Sequence, residues 1–331
     1  MRWVTAQGAR SRTRVVPPGS LELFQQSHHG AGLPARRAAI FRTSRVARLP
    51  VAACRAGPTH QCRGHRVCET AASCVRSTNK EDLVGLPLIS DERGIRTITF
   101  NRPEILNALT LEDLSAIRDA VADADGAVRG LILTGAGGRA FSAGVHVDTF
   151  ADAAPSSGRQ IIERVGACVS AIRLAPIPTV AMINGYCLGA AFEMALACDV
   201  RVACPDARFG LPEVKLGIPS VIEAALLLHH VGLSKAKEML LTGDIYTAAD
   251  LPPGLVNRTA PADQLRRTAE ELLASLTSPT REVTAAQKSL VETWLNVGLE
   301  QGIEASKAVF ADVFAAPAAA EALARYRRRC G

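Results

Sequence analysis

The stretch TVAMINGYCLGAAFEMALACDVRVA, residues 179–203, changes periodicity three times in close succession. Residues 179–183 form a short apolar run rich in β-branched side chains, which reads as a buried strand. Asn184-Gly185 is a turn pair, the small and apolar residues from about Ala190 suit a helix, and residues 199–203 return to a strand pattern. Strand, turn, helix and strand in this order predict an α/β core. The same stretch carries one acid, Glu193, in the first turn of the apolar helix, and Glu213 follows in the tight loop Phe-Gly-Leu-Pro-Glu. Two carboxyl groups in different settings can divide into acid and base around one water, and this pair is the reason to read the chain as an enzyme.

The alternation continues on both sides. Residues 96–101 (RTITFN) read as a strand, and Thr110 with Asp113 gives a capping-box signal before Leu111, Leu114, Ile117 and Val121 at helical spacing. Residues 130–134 (GLILT) form a buried strand that runs into the loop GAGGRAFSAG. A second amphipathic helix carries Ile161, Ile162, Val165, Cys168, Val169 and Ile172 and is stopped by Pro176 and Pro178. After Leu226 the pattern is mostly helical through Arg328, with breaks at Gly243, Pro252-Pro253 and Pro279.

Charge divides the chain differently. Residues 1–80 hold thirteen Arg and one Lys against Glu22 and Glu69, a net +12, which leaves 24 basic and 30 acidic residues, a net −6, in the rest of a chain whose total is +6. The body therefore lacks the basic footprint of a nucleic-acid binder. The first 80 residues, rich in Arg, Ser, Ala and Pro, resemble an organelle-targeting presequence and linker, or an upstream segment absent from the mature protein. A genuine presequence implies a mitochondrial location, and its absence a cytoplasmic one. Cys54, Cys62, Cys68 and Cys74 with His60 and His65 lack the short spacings of a zinc site, so a disordered tail is the simpler expectation and no metal is assigned. The nine cysteines show no disulfide framework, and no run of eighteen apolar residues suggests a membrane span.

Two small-residue loops complete the chemistry. Ala143 and Gly144 follow a buried strand, and Gly189 and Ala190 open a helix whose first amides lack intrahelical partners. Converging amides of this kind can hold a developing oxyanion, aided by the helix dipole.

With FNRPEILNAL from Phe100, GAGGRAFSAG from Gly135, NGYCLGAAFEMALACDVRVA from Asn184, FGLPEVKLGIP from Phe209, AKEMLLTG from Ala236 and GLVNR from Gly254, the chain resembles the enoyl-CoA hydratase/isomerase, or crotonase, family over roughly residues 96–325. The resemblance implies a spiral of ββα units with a C-terminal helical trimerisation region. Its organisation would be a basic extension at 1–80, an acyl-CoA-binding core at 81–280 and a helical region at 281–331, assembled as a homotrimer or hexamer. It places Ala143 and Ala190 at the oxyanion-hole positions, with Gly144, Val145, Gly189, Pro212 and Ser220 beside the acyl-CoA. Glu193 would deprotonate the water attacking Cβ and Glu213 would protonate Cα. The implied reaction is reversible syn hydration of a 2-enoyl-CoA, with no cofactor beyond the coenzyme A of the substrate. Double-bond isomerisation, decarboxylation, thioester hydrolysis and a noncatalytic or RNA-binding role are the alternatives.

Several residues depart from the family pattern. Ala190-Ala191 replace two glycines, His146 stands where Asp is usual, and residues 218–225 (IPSVIEAA) replace a glycine-rich loop while adding Glu223 as a third acid. Pro252-Pro253 interrupt a segment that is usually helical, and His229-His230 near a helix end are expected to make a favourable dipole contact.

Overall fold

A computed structural model of the chain describes residues 85–315 and 317–330. The basic extension at 1–80, with its cysteine and histidine residues weighed as zinc ligands, lies outside the described residues.

The first element is a hairpin. β1 (Leu88–Glu92) pairs antiparallel with β2 (Ile95–Phe100) through Arg93-Gly94, both at positive φ, the geometry that matches strand twist in a two-residue turn. α1 (Leu111–Ala122) starts at the expected capping box: Thr110 Oγ1 accepts from the Asp113 amide at 3.3 Å, and the Asp113 carboxylate accepts from the Thr110 amide at 2.7 Å. β3 (Gly130–Gly135) is buried throughout, and β4 (Ala140–Ser142) follows the glycine-rich loop. α2 (Pro155–Arg173) turns Val165, Cys168, Val169 and Ile172 inward. Next come β5 (Thr179–Ile183), β6 (Tyr186–Leu188), α3 (Ala190–Ala197), β7 (Val200–Ala203) and β8 (Arg208–Gly210).

Each of the pairs β3/β4, β5/β6 and β7/β8 places its first strand in one sheet and its second in another. With β9 (Ile245–Thr247) and β10 (Arg258–Thr259), the orders are β1-β2-β3-β5-β7-β10 and β4-β6-β8-β9. The pairings β2–β3, β3–β5, β5–β7 and β7–β10 are parallel. This repeated step is the spiral of ββα units that the motifs imply. The four-stranded sheet is built from strands of three residues each, too short to show periodicity in the sequence.

The rest of the chain contains α4 (Leu227–Val231), α5 (Leu233–Thr242), α6 (Leu265–Leu276), α7 (Arg281–Asn296), α8 (Leu299–Val313) and α9 (Pro317–Cys330). The expectation of a mostly helical segment after Leu226 fails between α5 and α6. Gly243 ends α5 in the left-handed conformation, and the chain then forms β9, a 3-10 turn at Ala248–Asp250 and β10 before α6 begins. Pro252 and Pro253 lack the amides a helix there would need.

α3 is the element that fixes the site. Its residues 191–197 are all buried, so its direction is set by packing, with about 1.5–3 kcal/mol for each large apolar side chain. Arg201, 2% exposed, donates to the carbonyls of Ala195 and Cys198 at the C-terminal end of α3 and to Leu255. A cation at that end complements the helix dipole, and the opposite, amide-bearing end opens at Gly189.

Candidate active site

One cleft open to solvent gathers most of the residues singled out from the sequence: Ala143, Val145, Gly189, Ala190, Glu193, Pro212, Glu213 and Ser220. Its remaining walls are apolar and include Val147, Phe150, Ile162, Val165, Leu216 and Ile222.

The backbone wall is held by buried polar side chains. Asn107, 1% exposed and at φ 56°, donates through Nδ2 to the Ala136 and Ala140 carbonyls and accepts from the Arg102 amide. Ser142 Oγ donates to the Asn107 carbonyl at 2.7 Å and accepts from the Gly144 amide at 3.0 Å. These bonds fix the turn that presents residues 143–145. Asn107 thus builds the site, although nothing in the motif FNRPEILNAL marks it for that task.

Ala143, expected as the first oxyanion donor, lines the cleft with its amide already engaged. Its amide is committed to the Leu106 carbonyl at 2.9 Å, so it has no hydrogen left to offer a ligand. Two residues further on, Leu109 donates to the Gly144 carbonyl and His146 donates to the Leu109 carbonyl. The Val145 amide between them has no acceptor among the described residues, and Val145 lines the cleft. The amide of Ala190, first residue of α3, is likewise without an intrahelical acceptor. Among the described residues, the cleft-lining amides of Val145 and Ala190 are therefore the two left without an acceptor.

Gly144 also differs from expectation, since it lies behind the cleft wall. A Cβ there would come within 2.8 Å of the Leu188 carbonyl oxygen and 3.2 Å of the Ala190 nitrogen, at φ 88°. Its lack of a side chain is what brings the two donor segments together. Of the two alanines that replace family glycines, Ala190 reaches the cleft while Ala191 is fully buried in the core.

Glu193 is 3% exposed, and its Oε2 has no hydrogen-bond partner among the described residues. Burial, reinforced by the charges of Glu213 and Glu223, pushes its carboxyl up to about 9, against a smaller opposing pull from the Ala224 and Glu223 amides. Glu213 is raised too by burial, but Ser220 Oγ donates to its Oε2 at 2.7 Å and favours the carboxylate. Its Oε1 lies 2.7 Å from where a Gly189 Cβ would sit, and Gly189 is at φ 56°. The Glu213 carboxyl thus rests directly against the residue that precedes the Ala190 amide.

The third acid is elsewhere. Glu223 is buried and accepts from Ser170 at 2.8 Å, with Arg173 Nε at 3.4 Å, and it does not line the cleft. Arg173 also pairs with Glu292 of α7. His146 caps the 3-10 turn Val147–Phe150, accepting from the Asp148 amide, and stays outside the lining. His230 is pushed down to about 4 by burial and by Arg201, against a smaller raising pull from the Leu196 backbone near the C-terminal end of α3. Ile222 holds φ 45°, a conformation costing a β-branched residue on the order of 1–2 kcal/mol.

Residues 90–330 match the sequence profile of the enoyl-CoA hydratase/isomerase family. Among similar proteins, the short-chain-enoyl-CoA hydratase of Clostridium acetobutylicum is 28% identical over 231 residues, 69% of this chain and 88% of that one. A probable enoyl-CoA hydratase of Mycobacterium tuberculosis is 31% identical over 248 residues, 72% of this chain and 93% of its own. The crystal structure of an enoyl-CoA hydratase from Mycobacterium smegmatis superposes with a TM-score of 0.69 at 29% identity, covering 74% of this chain and 96% of that one. The chain belongs to the enoyl-CoA hydratase/isomerase family, and its fold is the family's spiral of ββα units followed by C-terminal helices.

Proposed function

We propose that the protein catalyses the reversible syn hydration of a 2-enoyl-CoA to a 3-hydroxyacyl-CoA. The observation that carries this reading is the convergence in one cleft of two carboxyl groups, one with a buried oxygen unpartnered among the described residues, beside the Val145 and Ala190 amides, which find no acceptor among those residues. Hydration needs a stabilised enolate oxygen, a base for water and an acid for Cα; this set supplies each.

In this reading the thioester oxygen accepts from the Val145 and Ala190 amides, and the α3 dipole favours the negative charge that develops there. Burial, reinforced by the charges of Glu213 and Glu223, favours a resting proton on Glu193. A water that donates to Glu193 Oε2 favours its carboxylate and moves the proton toward Glu213. Glu193 then takes a proton from that water as its oxygen bonds to Cβ, and Glu213 gives its proton to Cα. Attack at Cβ shifts the double-bond pair into the enolate; protonation then uses the enolate carbon–carbon pair for the new Cα–H bond as the thioester carbonyl re-forms. No metal or redox step enters.

The test is incubation of the purified full chain with crotonyl-CoA, following loss of the enoyl absorbance and identifying the product by mass spectrometry. Formation of 3-hydroxybutyryl-CoA, with Glu193→Gln and Glu213→Gln each reducing kcat by about 10²–10⁴, is the expected result. Ordinary turnover in both variants would sink the roles. An isomerised, decarboxylated or hydrolysed product would assign one of the family's other reactions.

The assembly proposed is a homotrimer or a pair of trimers. Trp294, Leu299, Ile303 and Phe310 of α7 and α8 are exposed apolar residues suited to a subunit contact, and sedimentation of the purified protein tests it. The proposed organisation keeps an extension at 1–80, a core at 81–280 and a helical region at 281–331, with a mitochondrial location if the extension is a presequence. The mature N-terminus, read by mass spectrometry, decides that point. No helix among the described residues is long and apolar enough to cross a membrane.

A further inference from the structure

We propose that Ile222 sets the length of acyl chain the cleft accepts, restricting the enzyme to short-chain enoyl thioesters. This rests on the hydration reading for the direction in which the substrate lies.

The polar groups fix one end of the ligand. In that reading the Val145 and Ala190 amides mark the thioester oxygen, Glu193 marks Cβ and Glu213 marks Cα. Whatever follows Cβ must enter the apolar part of the cleft, bounded by Ile162 and Val165 of α2 and by Val221 and Ile222 of the facing loop. Ile222 spans from that loop to α2: its Cγ2 would lie 3.3 Å from a Cβ on Gly166, the residue after Val165. It also packs against the buried core, so it cannot retreat without displacing neighbours. The wall between loop and helix is therefore closed by a branched side chain seated against a helix position that has none.

The backbone at Ile222 points the same way. A glycine adopts φ 45° without strain, whereas isoleucine does so only under constraint from its surroundings. What isoleucine contributes here beyond a glycine is its side chain, and that side chain lines the cleft. An unbranched chain of four carbons should therefore be accommodated short of this wall and one of ten carbons obstructed by it.

The experiment compares kcat/KM of the full chain on crotonyl-CoA and on trans-2-decenoyl-CoA, with calorimetric binding of butyryl-CoA and decanoyl-CoA in parallel. The wild type should favour the short substrate and the short ligand by at least about tenfold, and Ile222→Gly should raise the long-to-short ratio about tenfold or more. A wild type that handles the long thioester as well as the short one overturns the proposal, as does a folded Ile222→Gly protein with unchanged ratios. Binding reads the pocket without chemistry. A wild type that prefers butyryl-CoA yet hydrates neither enoyl thioester would refute the hydration reading while supporting the length limit. If Ile222→Gly does not fold, Ile222→Val removes one methylene and should raise the 2-hexenoyl-to-crotonyl ratio several-fold. No change in that ratio overturns the proposal equally.

Discussion

The two walls of the cleft are built by opposite means. The donor wall, residues 143–145 and 189–190, is held by buried hydrogen bonds from Asn107 and Ser142 and by close backbone approach at Gly144. The acyl wall is held by packing of Val147, Phe150, Ile162, Val165 and Ile222. Hydrogen bonds have fixed geometry and a high cost when left half-made, so the donor wall tolerates little change. Apolar packing accepts volume-conserving exchange, so the acyl wall can vary in shape while the fold persists. On the first wall the family pattern is broken only at Ala190, an alanine in place of a glycine, whereas on the second it is lost through residues 218–225.

Among substitutions that leave both carboxyl groups in place, Gly189→Ala should have the largest effect on function. Its methyl would press on Glu213 Oε1 from a backbone at φ 56°, and we expect turnover to fall by more than about 10² with circular dichroism preserved. Asn107→Ala comes next. It leaves the Ala136 and Ala140 carbonyls and the Arg102 amide without their partner, and denaturant melts should show a loss of about 2–3 kcal/mol together with reduced kcat. On the opposite wall, Val165→Ala should cost about 1–3 kcal/mol but change kcat much less than Asn107→Ala does. Equal kinetic damage from the two would erase the contrast between the walls.

Glu193→Gln sharpens the comparison from the electrostatic side. The folded-state value is raised from 4.5 to about 9, so between those values the folded protein holds a proton the unfolded chain has released. Stability contributed by this proton is complete below pH 4.5 and is lost as pH rises toward 9. The variant should therefore gain about 0.5–2 kcal/mol at about pH 8, measured by thermal melts, and show a flatter stability profile over that window. The smallest effect is expected for Ser220→Ala. Loss of its hydrogen bond removes a group that favours ionised Glu213, and the Glu213 limb of the kcat/KM profile should move to higher pH.

Long apolar periodicities make much of the larger sheet readable from the residues alone. β3, β5, α2 and the Thr110–Asp113 cap lie where the residue pattern puts them. The smaller sheet is illegible because three-residue strands carry too little alternation, and the turn that ends α5 hides β9 and β10 inside an apparently helical stretch. Glu193 and Glu213 are legible as acids in distinctive settings. Which amide faces the cleft is not, because that depends on where each loop amide finds an acceptor. Ala143 finds Leu106 and Val145 finds none among the described residues, a difference set by tertiary folding and invisible in the small-residue motif. Likewise Glu223 can be seen as a third acid, but only the fold turns it toward Ser170 and Arg173.

That last contact limits how the cleft can be redesigned. Arg173 stands between Glu223, the neighbour of Ile222, and Glu292 on a C-terminal helix. Reshaping the loop for a bulkier substrate by exchanging Glu223 would strand a half-buried guanidinium against one remaining carboxylate, and the strain would be felt at α7. An engineer who wants a roomier cleft is better served by trimming Ile222 and leaving the adjacent acid in place.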